Sequence, residues 1–125
     1  MSEIVVHNAG QIPFYQGPHE IPGIRFRHAR QALGVTAWGM NVIEIAAGCT
    51  DYPEHDHEAD GQEEVYVVLR GGAELVCGDV RKPLAQGDMV RLPPHVKRTF
   101  RTEEGVLLLA LGATPGAVFS PNPGM

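Results

Sequence analysis

The sequence predicts an all-β domain, a sandwich or barrel, on three observations. Short runs rich in β-branched and aromatic residues recur at intervals of roughly 8–12 residues, the spacing of such folds. The 15 Gly and 10 Pro among the 125 residues are spread along the chain and punctuate those runs. No segment carries the apolar stripe of period 3.6 that marks an amphipathic helix.

In chain order, residues 12–23 hold Pro13, Pro18 and Pro22 and read as an extended arm. Residues 24–28 form a first strand, Ala29–Leu33 one helical turn, and residues 36–46 a second strand beyond a loop at Leu33-Gly34. Residues 64–69 form a strand that ends at Gly71-Gly72, read as a turn. Residues 73–77 and 80–84 make a hairpin across Gly78-Asp79, since Gly first in a two-residue loop suits a tight turn. Gly87-Asp88 opens a short strand, Met89–Leu92, which Pro93-Pro94 stops. Residues 98–102 follow. Residues 106–111, apolar on both faces, read as a central strand. The tail from Thr114 is irregular. Length and pattern give one domain over 1–125: arm and first strands over 1–35, barrel core over 36–112, tail over 113–125. Trp38, Tyr66 and Phe100 are expected in the core, and Cys49 and Cys77 as small apolar residues, with a bridge between them left open.

The net charge of −5 is unevenly distributed. Asp51, Glu54, Asp56, Glu58, Asp60, Glu63 and Glu64 fall within 14 residues that contain no Lys or Arg. The rest of the chain is mildly basic. No basic stripe suggests a nucleic-acid partner. The longest apolar run is too short to span a membrane, and no signal peptide is visible. A soluble cytoplasmic protein is the expectation. The only serines, Ser2 and Ser120, lie near the termini, which argues against a Ser-His-Asp hydrolase. No dinucleotide fingerprint or P-loop is present.

The acidic stretch also holds His55-Asp-His57. Gly48, a short spacer, His55-x-His57, then Glu64, six residues and Gly71 make one motif. After fifteen intervening residues comes a second: Gly87, five residues, Pro93-Pro94-His95, then Arg98. The order and spacing resemble the two motifs of the cupin superfamily, over about residues 35–112. The resemblance implies a small double-stranded β-helix, or jelly-roll barrel, a homodimer, and a metal held by His55, His57 and Glu64. Two spacers are slightly longer than the family pattern. The second motif departs more sharply: His95 replaces a Gly, and Arg98 stands where the family has its fourth ligand, a His.

Residues two apart in an extended segment face the same way, so His55 and His57 project together. Glu64, Tyr66 and Val68 share one strand face, and Glu63 the other. Spacing to Gly71 favours Glu64 over Glu63 as the carboxylate. Two imidazoles and a carboxylate suit Fe, Mn, Zn or Ni. Arg98 cannot ligate, because its guanidinium offers only donors. His95 as a substitute ligand sits three residues early. Arg98 therefore has two readings. It holds the carboxylate of a small anionic substrate, alongside Tyr66, in a metal-dependent oxygenase, decarboxylase or isomerase. Alternatively it pairs with Glu64 and replaces the metal, leaving a cofactor-free binding or sensor barrel. A third possibility is a structural module with a vestigial cavity. The other acids of the stretch are expected to be solvated, and His7, His19 and His28 incidental.

Overall fold

The computed structural model describes residues 3–121. After a 3-10 turn at Ala9–Gln11, seven strands and one α-helical turn appear in the order β1 (Ile24–Arg27), α1 (Ala29–Leu33), β2 (Gly39–Ile45), β3 (Glu63–Cys77), β4 (Val80–Ala85), β5 (Met89–Leu92), β6 (Thr99–Arg101) and β7 (Val106–Ala113). All pairings are antiparallel. The order across the sheet is β1-β2-β7-β3-β4, with β5 and β6 also pairing with β3. The chain is thus all-β, with a curled antiparallel sheet, as the sequence predicts.

β7 lies between β2 and β3 and is buried along most of its length, which explains its apolar character on both faces. Gly78-Asp79 closes a hairpin in which Cys77 pairs with Val80.

Gly71-Gly72 behaves differently from its sequence reading. It is no chain reversal: β3 runs through it for 15 residues, with a register shift just before it against β7. Upstream, β3 pairs with β5; downstream, it pairs with β4 and β6. A glycine with positive φ suits a bulge as well as a turn. Here Gly71 has φ +77°, and a Cβ would strike the Gly105 carbonyl oxygen. Gly72 N–H donates to that same carbonyl, and Thr102 Oγ1 donates to Gly72 O at 2.6 Å. The bulge bends β3 so that it serves both halves of the barrel.

The curled sheet buries side chains on both faces. Its inner face packs Ile43, Ile45, Tyr66, Val68, Leu75, Phe100 and Leu108 into the main core. Phe100 is fully buried and meets Tyr66 and Tyr52 edge-on, with ring centroids 4.8 and 5.4 Å away. Burying such a ring stabilises the fold by about 1.5–3 kcal/mol. Its outer face packs Val42 and Leu107 against Ile12 of the arm and Ala29 of α1. Buried Arg27 fastens the arm: its Nε donates to Ile12 O at 2.8 Å and its Nη1 pairs with Glu44 at 2.7 Å. Trp38, expected in the core, is instead 45% exposed in the loop before β2. Cys49 and Cys77 are half-buried free thiols.

Candidate functional site

Backbone pairing brings the two sequence motifs together. His55 N–H donates to Arg98 O at 3.1 Å, and Arg98 N–H to His55 O at 2.9 Å. His57 N–H donates to Pro94 O at 2.8 Å. The His55–His57 segment is therefore laced to the strand that carries Arg98. A tight turn follows, in which Gly61 N–H reaches His57 O at 2.7 Å. That turn returns the chain to the start of β3, where Glu64 points inward.

His55, His57 and Glu64 converge, with one ligand-capable atom from each lying within 4.8 Å of the others. Hydrogen bonds orient both rings. His55 Nδ1 lies 3.0 Å from Pro53 O, a pure acceptor, so it carries the proton. His57 Nδ1 lies 3.2 Å from both Asp60 carboxylate oxygens, so it is a donor too. In a neutral ring, each Nε2 then keeps its lone pair. Such an outer carboxylate or carbonyl on a histidine is the usual support of a metal-binding imidazole. Asp60, expected to be solvated, is thus engaged with His57. Asp56 also has a local task, accepting from Glu58 N–H at 3.1 Å.

His57 Nε2 is buried and has no hydrogen-bond partner, although Glu64 Oε2 is 3.4 Å away. Two donors each about 2.1 Å from one ion, at tetrahedral or octahedral angles, stand about 3.0–3.4 Å apart. The donor set, the orphaned nitrogen and this separation all fit a divalent transition metal.

Arg98 lies on the far side of Glu64. Its side chain is wholly buried, its Nη1 donates to Glu64 Oε1 at 2.9 Å, and its Nη2 donates to Pro93 O at 3.1 Å. It does not line the cavity. The bidentate substrate contact expected of it is thereby replaced by contact with Glu64, which leaves Glu64 Oε2 facing His57. Glu63 points outward to Arg91 at 2.6 Å. His95 is exposed and outside the cluster.

Burial pushes the Glu64 carboxyl up, but the nearby His57 and Tyr66 side chains and the charge of Arg98 bring it below its ordinary value. The His57 ring is raised, chiefly by its approach to Glu64 and against the effect of burial. Burial raises Tyr52 to about 12 and Tyr66 well above the usual phenol value. Both phenols are therefore protonated near neutral pH.

These groups open onto a cavity of about 390 Å³. Its walls include apolar Ile24, Phe26, Ile43 and Ala110, with Tyr15, His19, Glu20 and Ile21 from the arm, and His28 and Asn41. No Lys or Arg is among the lining residues. His19 and His28, read as incidental in sequence, both line it. No motif marks the arm residues, because only its folding back across the barrel brings them there.

The family model for the cupin domain matches residues 41–111, more than half of the chain. The chain belongs to the cupin domain family. Among solved structures, this cupin is similar to a cupin protein from Bacteroides fragilis: 18% identity, TM-score 0.64, covering 87% of this chain and 91% of that one. It is also similar to a sugar phosphate isomerase of the cupin superfamily from Silicibacter pomeroyi: 18% identity, TM-score 0.69, covering 91% and 75%. The DMSP lyase DddQ from Ruegeria pomeroyi shares 28% identity with a TM-score of 0.56, covering 67% of this cupin and 42% of that chain. No curated protein matches. None of the helices among the described residues of this cupin is long and apolar enough to cross a membrane.

Proposed function

We propose that this cupin is a small metal-dependent enzyme in which His55, His57 and Glu64 hold one divalent first-row ion, Fe, Mn, Zn or Ni. The observation that carries the reading is the pair of imidazoles whose Nδ1 atoms are both spent on oxygen acceptors. That leaves the Nε2 atoms for an ion: His57 Nε2 stands 3.4 Å from Glu64 Oε2, and His55 brings a ligand-capable atom to within 4.8 Å of the other two residues'. The 28% identity with a lyase supports an enzyme over a bare binding barrel.

A bound ion would supply Lewis-acid polarisation of a carboxylate or carbonyl oxygen on a small anionic substrate. The chain supplies the rest. Asp60 holds the His57 ring in register, and Arg98 fixes Glu64 through its other oxygen. Tyr66 and Tyr52, both buried and with raised pKa values, keep protonated phenols beside Glu64 at the cavity floor. The apolar wall of Ile24, Phe26 and Ile43 limits water around the substrate body.

The test is metal analysis of protein purified from cells supplied with all four metals. About one transition metal per chain, lost in His57→Ala, supports the reading. A folded chain that stays metal-free under the same supply overturns it. That second result would favour a cofactor-free binding barrel, for which the buried Arg98–Glu64 pair speaks, since the arginine already balances the carboxylate.

A further inference from the structure

The strand register places three cavity residues on one rung. Asn41 of β2 pairs with Ala110 of β7, and Ala110 pairs with Tyr66 of β3. Directly paired residues share a face, so all three look into the barrel. Strands lie about 4.8 Å apart, which puts Asn41 roughly 10 Å from Tyr66 across the sheet. Ala110 between them is small and leaves the floor open. Beyond Asn41, β1 pairs Phe26 with Ile43 and Arg27 with Val42, so His28 continues that ladder beside Asn41.

Neither Asn41 nor His28 spends its side chain on the protein. Among the described residues the Asn41 carboxamide makes no hydrogen bond, although the residue lines the cavity. His28 precedes α1, yet its side chain does not cap the helix. Its Nδ1 is buried without a partner, so no contact pins the tautomer. The ring itself is held, with Phe26 and Tyr15 meeting it edge-on at 5.2 and 6.3 Å between centroids. Buried polar atoms are almost always satisfied, so the unpartnered His28 Nδ1 marks this end of the site as incomplete, and the half-buried Asn41 carboxamide beside it opens on the cavity with its donor and acceptor unspent.

We infer that His28 and Asn41 form a second subsite, which takes an uncharged hydrogen-bonding group, such as a hydroxyl, at the end of the substrate remote from His55, His57 and Glu64. The subsite rests on the reading of that cluster as the place of the substrate's anionic head. Charge supports the neutral tail. An anionic tail would find no Lys or Arg in the lining and Glu20 at the mouth. Burial, and after it the Arg30 charge, keeps the His28 ring below its ordinary pKa, and the same charge opposes a cationic tail. A carboxamide and an imidazole each offer a donor and an acceptor, which matches a hydroxyl.

The test uses straight-chain carboxylates of about four to six carbons that differ only in the terminal group: methyl, hydroxyl, ammonium or carboxylate. Binding is followed by calorimetry on the full chain after its metal content has been measured. The hydroxyl member should bind about five- to tenfold more tightly than its methyl counterpart, one neutral hydrogen bond's worth. Asn41→Leu and His28→Phe should erase that preference while retaining metal. Preference for the methyl, ammonium or carboxylate tail overturns the subsite. So does a hydroxyl preference that survives both substitutions, or the absence of binding by every member at millimolar concentration. His57→Ala separates the two readings. It should weaken all members alike with their rank order kept if the metal holds the head. An unchanged head affinity would overturn the metal reading and leave the tail preference standing on its own measurement.

Discussion

Arg98 Nη1 donates to Glu64 Oε1 at 2.9 Å from a side chain that is wholly buried, while the carboxylate is 11% exposed. The pair sits behind the candidate metal cluster, at the position where the family pattern has a fourth ligand. Removing the arginine strands a buried carboxylate. Arg98→Met should therefore destabilise the fold by about 3–5 kcal/mol, read by urea denaturation. The double variant with Glu64→Gln should recover much of that loss, because it removes both charges together.

Arg98→His is expected to act on affinity. It would add a nitrogen donor beside the cluster and remove a positive charge that opposes a cation. Metal affinity, measured by competition with a chelator, should rise by at least about tenfold relative to the parent chain. An unchanged affinity would show that Arg98 neither blocks nor disfavours the ion.

Asp60 touches no ligand-facing atom of the cluster except through His57, whose Nδ1 it holds at 3.2 Å. Asp60→Ala should lower metal affinity about 10–100-fold with the fold intact, the usual cost of losing an outer partner. Circular dichroism and chelator competition on the same sample check both halves.

His28 gives the stability a definite pH dependence. Burial, aided by the Arg30 charge, sets its folded pKa below the ordinary 6.5. The unfolded chain then binds the proton more readily, so this contribution to stability is present above pH 6.5 and is lost as pH falls from there through the folded pKa. Urea midpoints measured across that window should fall less steeply in His28→Phe than in the parent chain.

Gly71 tolerates no side chain. Its φ of +77° and the Gly105 carbonyl above it exclude a Cβ. Gly71→Ala should cost about 2–4 kcal/mol by combined strain and overpacking, whereas Gly78→Ala, in open space at φ +59°, should cost about 1 kcal/mol. Paired denaturation curves separate the two.

The inner face of β3 was legible from sequence. Period-two alternation puts Glu64, Tyr66 and Val68 together, and all three are buried while Glu63 turns out to Arg91. The motif spacing likewise brought His55 and His57 to Glu64. What escaped was set by distant contacts. Gly71-Gly72 reads the same as turn or bulge, because both need the same backbone freedom, and only the change of partners along β3 decides between them. Trp38 lies outside because the loop before β2 has no layer over it. Tyr15 and His19 reach the cavity through the fastening of the arm by Arg27, a tie no local pattern records, and His28 reaches it through the pairing of β1 with β2.

The fastened arm has an evolutionary consequence. The family match spans 41–111 and contains the donor cluster and Arg98, whereas Tyr15, His19, Glu20, Ile21 and His28 precede it. The candidate metal cluster and much of the cavity wall are therefore separate stretches of gene. Sequence drift or directed diversification confined to residues 12–28 can remodel what the barrel admits while the donor cluster is inherited unchanged.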